Sequence, residues 1–442
     1  MSTHNALKRP LAVALAAALV LPGLAGAQTA KEAELEARVA ELEKMVQQLL
    51  QHQQEAPAVA PAPAADPGKT IQSTTILPGA NPGSRFSYGG FIKFDAMVTD
   101  TSDGKIADGS AGRLFYVPST IPVVANGTEP DTDPYTDFHA AFSRFWFAVD
   151  HTTDNDDKFR GYIEADLFGG GSANLGNEVS TNTHGITIRH AFVTWNNWLA
   201  GQTWTNFQDL GSLPETVDFL GVSDGTIFVR QAQLRYTNGP WSFSIENPHT
   251  LATNFGGTGR FSSGDNVLPD ITARWNTKGD WGHFSVAGLL RQFKAGDETA
   301  TGASVSVAGK FNLGANDDIR YMANYGQGLG RYFAFGQGTD VVLDAGSDLE
   351  PINAYGGFIG WRHAFNPQLR SNIIFSAAYY DNDPSLTGWG VTERSHSIRA
   401  NLIYSPFPKL DIGAEVTYGE RALEDDREGD LKRFHTTVKY SF

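Results

Sequence analysis

The sequence predicts an all-β transmembrane barrel of about 16 antiparallel strands, preceded by an N-terminal periplasmic α-helical coiled coil. Three observations predict the barrel. Short runs with apolar residues at every second position recur from residue 85 onward. The connections between these runs alternate between short and long, as in outer-membrane barrels. The last run, RFHTTVKYSF, alternates polar and apolar residues up to an aromatic terminus.

Residues 1–27 resemble a secretory signal peptide. Lys8 and Arg9 supply the positive n-region, LAVALAAALVL supplies the apolar core, and AGA at residues 25–27 forms the cleavage site. The apolar run is shorter than the roughly 18 residues that a membrane-spanning helix needs. We therefore expect this segment to direct export rather than to anchor the chain.

Residues 28–54 are predicted to form a periplasmic coiled coil. They are rich in Ala, Glu, Leu and Gln, which favour helices. Apolar residues recur at spacings of four and three, namely Leu35, Val39, Leu42, Val46 and Leu49. A short segment of this kind is marginal alone, and an amphipathic helix that docks elsewhere would show the same pattern.

Residues 55–83 are rich in Pro and Ala and should form an extended, semi-rigid linker. The barrel is then expected over residues 84–442. Its runs begin near residues 85, 138, 158, 184, 198, 227, 240, 267, 281, 302, 316, 351, 367, 390, 408 and 430. The short connections, such as NGP, GAND and NPQ, have turn chemistry, and the long ones reach about 38 residues. A soluble β-sandwich or propeller would not require this alternation of lengths.

The final run is expected to close the barrel against the first. Phe442, Tyr440 and Val438 share one face and should meet lipid and the interfacial aromatic girdle. The terminal Phe442 also resembles the signal that the barrel-assembly machinery recognises. That machinery, outer-membrane lipid and lipopolysaccharide are therefore the expected partners outside the lumen.

Composition excludes several classes of function. The net charge of −15 does not favour nucleic acid, and the absence of cysteine excludes disulfides, thiolate nucleophiles and cysteine metal sites. No motif indicates a metal or an organic cofactor. A mean hydropathy of −0.28 does not exclude a membrane barrel, because lipid-facing and lumen-facing residues cancel in the average.

The face opposite the apolar one is expected to line the lumen, and basic residues predominate on it. The basic residues are Lys93, Arg144, Arg160, Arg189, Arg235, Arg274, Arg291, Lys310, Arg320, Arg362, Arg370, Arg399 and Lys439. The acidic residues are Asp95, Asp150, Glu164, Asp166, Asp411 and Glu415. Rings of arginine in a narrow channel attract anions, and the guanidinium fork suits carboxylates. Any single arginine could instead brace the wall against a neighbouring acid, so the set predicts the anion preference better than any member.

The connection between runs 5 and 6 is unusually apolar for an external loop. It lies within GQTWTNFQDLGSLPETVDFLGVSDGTIFVRQAQLRYT and is the third connection at its end of the barrel. A loop folded into the bore would bury its apolar residues against the wall. The residues expected to form this constriction are Asp209, Glu215, Asp218 and Phe219.

Four stretches resemble the DcaP-like trimeric outer-membrane porins: GQTWTNFQDLGSLPETVDFLG followed by FVRQAQLRY, GGFIKFDAMVTDTSDG, the signal and coiled-coil segment, and KYSF. The resemblance covers nearly the whole chain. It implies a homotrimer of 16-stranded barrels in the outer membrane of a Gram-negative bacterium, with a periplasmic helical extension. It also implies passive uptake of small anions, particularly dicarboxylates, with Glu215 and Asp218 facing a ladder of arginines. Arg230 and Arg235 lie inside the matching motif and are the residues best transferred from the family.

Other functions remain open. A sugar-specific or general porin with a structural coiled coil would use Trp146, Trp195 and Trp204 to stack on sugar rings, although an interfacial girdle explains tryptophan equally well. A mainly structural role, with the helix as an envelope tether, is a further alternative. An enzyme is not expected, because the histidines are scattered and the sequence contains neither G-x-S-x-G nor H-E-x-x-H.

Overall fold

The computed structural model describes residue 44, residues 73–74 and residues 84–442, except residues 126, 128, 131, 170–184 and 258. The chain divides into two units, Met1–Lys69 and Thr70–Phe442. In the first unit Lys44 is helical and exposed. The predicted signal peptide, the rest of the predicted coiled coil and the linker other than residues 73–74 lie outside the described residues. None of the described helices has the length and apolarity needed to cross a bilayer.

Sixteen strands form a closed antiparallel barrel. They are β1 (Ser84–Thr101), β2 (Tyr135–His139, continued by Arg144–Thr152), β3 (Lys158–Asp166), β4 (Thr187–Trp195), β5 (Trp198–Trp204), β6 (Arg230–Asn238), β7 (Trp241–Glu246), β8 (Asp270–Gly279), β9 (Gly282–Ala295), β10 (Glu298–Leu313), β11 (Asp317–Gln327), β12 (Asn353–Asn366), β13 (Leu369–Asp381), β14 (Thr392–Tyr404), β15 (Leu410–Leu423) and β16 (Glu428–Ser441). Each strand pairs with the next, and β16 pairs with β1 from Leu431 to Ser441. The predicted strand number and closure are confirmed, and the predicted starts fall within about four residues of the observed ones.

The outer face of the barrel is apolar and the inner face is polar. On β1, Ile92, Phe94 and Val98 are 58%, 48% and 43% exposed, whereas the alternating Lys93 and Asp95 are buried. In water such an arrangement would leave a large apolar belt exposed to solvent, which is unfavourable. It is stable in a bilayer, where lipid covers the belt and strand pairing satisfies every backbone group.

One rim of this belt carries exposed aromatic rings. They include Trp195, Trp198, Trp241, Trp281, Trp361, Phe365, Phe407, Tyr440 and Phe442. Large rings at the lipid–water boundary are typical of outer-membrane barrels. Trp195, considered above for sugar stacking, belongs to this outer rim and stacks on Phe159 with 6.1 Å between ring centroids.

The two ends of the barrel differ in their connections. At the end that we call the turn end, two to five residues join β2 to β3, β4 to β5 and each later pair. At the opposite end, the loop end, the longer connections are loop one (102–134), loop two (167–186), loop three (205–229), loop four (247–269), loop six (328–352) and loop seven (382–391). The predicted alternation is wrong at residues 296–297 and 424–427, which are short connections at the loop end. There the flanking strands are long, 14 or 16 residues, and extended hairpins replace loops.

Small elements order the loops. Four short strands, Thr250–Thr253, Arg260–Ser263, Val341–Leu343 and Leu349–Pro351, form a separate sheet that joins loop four to loop six. A single-turn helix, Pro384–Thr387, lies in loop seven, and its N-cap Asp383 accepts from Ser385 N. The loops at this end are therefore built against one another.

Candidate functional site in the lumen

Loop three lies inside the barrel along its wall. Its apolar residues Phe207, Val217 and Leu220 are 1%, 2% and 5% exposed. Wall arginines donate to its backbone carbonyls in the order of the strands: Arg274 Nη1 on β8 to Gln208 O at 2.6 Å, Arg320 Nη1 on β11 to Leu213 O at 2.6 Å, and Arg399 Nη1 on β14 to Gly221 O at 2.9 Å. Loop three thus narrows the lumen over a path that runs from β8 to β14.

The tip of loop three is held on both sides of Val217. Its amide donates to Glu415 Oε2 on β15 at 3.0 Å, and Lys93 Nζ on β1 donates to its carbonyl at 3.2 Å. Hydrogen bonds between a charged side chain and a buried peptide group are strong. The tip is therefore fixed by the wall next to the β16–β1 closure.

The three acids predicted to lie at the constriction have different partners. Glu215 is paired with Arg370, whose Nε lies 2.7 Å from Oε2, and Arg362 lies 3.9 Å away. Asp218 accepts the backbone amides of Tyr116 and Leu220 at 2.8 and 2.9 Å. Asp209 accepts from Ser285 Oγ at 2.7 Å and lies 3.0 Å from His283 Nε2. Among these three, Glu215 is the acid that faces arginines.

Five of the ten arginines expected to line the pore hold loop three or the strand end that leads into it: Arg235, Arg274, Arg320, Arg370 and Arg399. Arg235 donates to Trp204 O at the end of β5. Their positive charge is directed at carbonyl groups or Glu215. We call these residues the anchoring arginines.

A second group of arginines lies on β2, β4 and β6 and forms what we call the arginine cluster. Arg189 donates from Nε to Glu164 Oε1 at 2.9 Å and from Nη1 to Asp166 Oδ2 at 2.7 Å. Arg144 Nη1 lies 3.4 Å from Glu164 Oε1. Among the described residues Arg230 forms no ion pair, and its buried Nη1 has no hydrogen-bond partner. Three guanidinium groups share two carboxylates, which leaves a positive surplus.

Aromatic rings flank the arginine cluster. Arg230 lies over the Trp204 ring at 5.0 Å, and Arg189 and Arg144 lie 5.2 and 5.5 Å from the Phe219 ring. Rings at these distances attract the cations and fix their orientation. On the same inner wall, closer to the turn end, Tyr162 stacks with Trp146 at 5.9 Å and Phe192 at 5.2 Å. Sequence reasoning named Trp146 as a residue that could stack on sugars, but not its neighbours Tyr162 and Phe192.

The turn end of the lumen contains partly exposed ion pairs. Arg160 Nη1 lies 3.2 Å from Asp150 Oδ1, and their side chains are 42% and 39% exposed. Arg362 Nη1 lies 3.5 Å from Asp318 Oδ2. The Arg160–Asp150 pair, the more exposed of the two, adds little to stability. Its charges are in contact with water, where a passing ion can interact with them.

The inner wall of β9 to β13 is apolar near the loop end, contrary to strict polar–apolar alternation. Inward residues Ala287, Leu289, Ala308, Met322, Phe358, Ile374 and Ala378 form one buried cluster with Phe207, Ile227, Tyr332 and Phe333 of loops three and six. The sequence contains a signal for this sector. Runs such as IIFSAAYY and VAGLL have apolar residues on both faces, which is typical of strands covered on both sides.

Loop one also lines the lumen, and sequence reasoning missed its anchors. Arg433 Nη2 on β16 donates to Gly112 O at 2.6 Å, and Arg421 Nη1 on β15 donates to Ile121 O at 3.1 Å. Tyr116 is fully buried, and burial raises its pKa well above the usual value. Its hydroxyl therefore stays protonated and donates to Asp224 Oδ1 at 3.4 Å. Arg421 and Arg433 were missed because the sequence does not distinguish an arginine that binds a carbonyl from one that faces solvent.

Comparisons with known proteins match this geometry. The family model for the DcaP outer membrane protein matches residues 25–442. The crystal structure of the outer membrane channel DcaP of Acinetobacter baumannii is 25% identical, with a TM-score of 0.68, over 81% of this chain and 98% of that one. No curated protein matches the chain significantly.

Two more distant structures share the barrel fold. The anion-selective porin from Comamonas acidovorans is 10% identical, with a TM-score of 0.50, over 81% of this chain and 100% of that one. OmpT of Vibrio cholerae is 11% identical, with a TM-score of 0.50, over 83% and 100%. At such identities the likeness concerns the fold alone.

Proposed function

The chain belongs to the DcaP outer membrane protein family, and from that premise we propose that it is a passive diffusion channel whose lumen favours small anions, dicarboxylates in particular. The observation that carries the proposal is the arginine cluster of Arg144, Arg189 and Arg230. It has one more cation than carboxylates, and Arg230 forms no ion pair among the described residues. The excess positive charge lowers the energy of an anion in the narrowed lumen.

Glu215 and Asp218 of loop three are already bound by other groups of the protein. Glu215 is paired with Arg370, and Asp218 is bound by two backbone amides. A small anion would therefore meet the hydrated pairs at the turn end and the arginine cluster further in. The arginine cluster suits a solute that carries carboxylates, since the guanidinium fork binds a carboxylate through two parallel hydrogen bonds.

The assembly is part of the same proposal. We propose a homotrimer in the outer membrane, in which residues 1–27 are removed on export and residues 28–54 form a coiled coil in the periplasm. The family premise and the heptad spacing of Leu35, Leu42 and Leu49 support this arrangement. The exposed Tyr440 and Phe442 of the last strand support recognition by the barrel-assembly machinery.

A sugar-type or general porin is the second candidate, and the aromatic row of Trp146, Tyr162 and Phe192 favours it. Three rings stacked along one inner wall offer apolar faces to a sugar ring. Liposome swelling with sugars and with dicarboxylates of matched size separates the candidates. Faster entry of dicarboxylates supports the anion channel, and faster entry of sugars supports the alternative.

The decisive test is the zero-current potential of the refolded protein in a planar bilayer under a KCl gradient. We expect a potential of the sign given by anion permeation. Arg144→Ala and Arg230→Ala should reduce it. Lys432→Ala, which removes a side chain that is 64% exposed and lies 3.7 Å from Asp430 on the outward face of β16, is the control and should leave it unchanged. A cation-signed or near-zero potential in the unmodified protein would overturn the proposal.

A further inference from the structure

A group of phenylalanines from several segments meets inside the lumen. We call it the phenylalanine hub: Phe115 of loop one, Phe142 from the break in β2, Phe168 of loop two, Phe219 and Phe228 of loop three, and Phe335 of loop six. Phe115 and Phe142 are completely buried. An apolar core of this kind excludes water from the space that it fills.

The hub joins two parts of the wall that are four strands apart, β2 and β14. On one side Phe142 leaves β2 and stacks on Phe219 with 3.7 Å between ring centroids. On the other side Leu220, which packs against the hub, precedes Gly221, whose carbonyl accepts a hydrogen bond from Arg399 of β14. Solutes cannot pass through this packed material, so the aqueous path at this level lies beside it.

Phe335 is the exposed member of the hub. Its side chain is 43% exposed, and its ring lies 4.9 Å from Phe115 and 6.5 Å from Phe228. Phe228 in turn meets Trp204 at 4.5 Å, and Trp204 lies under Arg230. A continuous line of rings therefore leads from the hub to the arginine cluster, with Phe335 exposed beside it.

The backbone of Phe335 is held in an unfavourable conformation. Its φ of +61° is in the left-handed region, which costs a phenylalanine about 1 kcal/mol or more. Neighbouring hydrogen bonds impose this conformation. Ala334 N donates to Thr226 O at 3.0 Å, and Arg260 Nη1 donates to Gly336 O at 3.0 Å. Hydrogen bonds from loops three and four thus hold the exposed Phe335 ring of loop six at a position where glycine would fit the backbone better.

We propose that Phe335, with Phe219 beneath the arginine cluster, sets the size limit of the channel. The hub narrows the lumen next to the arginine cluster, and in this proposal the two partly exposed rings border the remaining aqueous path and set its width. The filter acts on size and not on charge, so it goes beyond the proposed anion preference. A neutral solute should be selected by it as strongly as an anion.

The test is liposome swelling with a neutral monosaccharide, disaccharide and trisaccharide. Phe335→Gly removes the ring and relieves the backbone, and should raise the trisaccharide-to-monosaccharide rate ratio severalfold. Phe335→Trp should lower this ratio, and Phe219→Ala should raise it. Phe365→Ala, which removes a ring 55% exposed on the outer face, is the control and should not change it.

Opposite shifts for Phe335→Gly and Phe335→Trp, in barrels whose circular dichroism matches the unmodified protein, would establish the filter. An unchanged ratio in both variants would overturn it. Failure of the anion proposal gives a different result, because Arg230→Ala would then leave the zero-current potential unchanged while the Phe335 variants still changed the size ratio.

Discussion

Two sectors of the inner wall use similar side chains in different ways. Near the loop end, β9–β13 is apolar, and loops three and six pack against it. Around it the anchoring arginines donate to loop carbonyls. In the arginine cluster on β2, β4 and β6 the arginines face two carboxylates and aromatic rings, and Arg230 forms no ion pair among the described residues. This difference shows that an inward arginine indicates a solute path only where it does not donate a hydrogen bond to a loop carbonyl.

The largest effect should follow from damage to the packed sector. Phe207→Ala removes a 1% exposed ring that meets Tyr332 edge-on at 5.9 Å, and should cost about 3–5 kcal/mol of unfolding free energy. Urea unfolding in detergent micelles measures it. Phe243→Ala, on a ring that is 49% exposed on the outer face, should cost clearly less. Equal losses in the two variants would show that loop three is not packed as described.

The next largest effect should follow from removal of one anchoring arginine. Its loss of stability should distinguish the anchoring arginines from those of the arginine cluster. Arg399 and its neighbour Glu415 have completely buried side chains 3.7 Å apart, so Arg399→Ala leaves a buried carboxylate without its cation and should cost about 3–5 kcal/mol. Arg230→Ala should change stability little. Both values come from the same unfolding experiment, and a larger loss in Arg230→Ala would contradict the division into anchoring and solute-facing arginines.

For ion selectivity we expect the reverse order, with a larger effect in the arginine cluster than at an anchoring arginine. At about 0.1 M salt Arg230→Ala should lower the anion-to-cation permeability ratio severalfold, whereas Arg320→Ala, which removes an anchor to Leu213 O, should lower it less. The difference should vanish near 1 M salt, where the screening length falls to about 3 Å. Zero-current potentials at the two salt concentrations provide the measurement. A salt-independent effect would point to a change in loop position instead of a change in field.

The smallest effect is expected at the turn end. Arg160 and Asp150 form a pair 3.2 Å apart with side chains about 40% exposed, so Arg160→Ala should cost less than about 1 kcal/mol. Its unfolding midpoint should stay near that of the unmodified protein. A loss comparable with that of Arg399→Ala would mean that this pair also braces the wall.

The strands were predictable because their signal is local. Alternation along β1, β3 and β15 separates lipid from lumen, and lipid contact allows few exceptions. The apolar character of loop three was visible for the same reason, since Val217 and Leu220 are costly to expose.

The roles of individual arginines were not predictable because they depend on where a distant backbone passes. Arg399 is an anchor since Gly221 O, 178 residues earlier, lies 2.9 Å away, and nothing near Arg399 in the sequence indicates it. The inward course of loop one has the same origin. Its attachment to Arg433 joins residues 321 positions apart.

The pairing of β16 with β1 also determines when the barrel can form. Thr437 donates to Phe94 O across 343 residues, and β1 and β16 are paired along eleven positions. During synthesis β1 emerges first and keeps an unpaired edge until β16 becomes available, so closure follows translation. Contacts this distant in sequence make folding slow, and the open edges invite pairing with other chains. Cells that make this protein therefore need to keep the unfinished sheet away from its own copies until the last strand arrives.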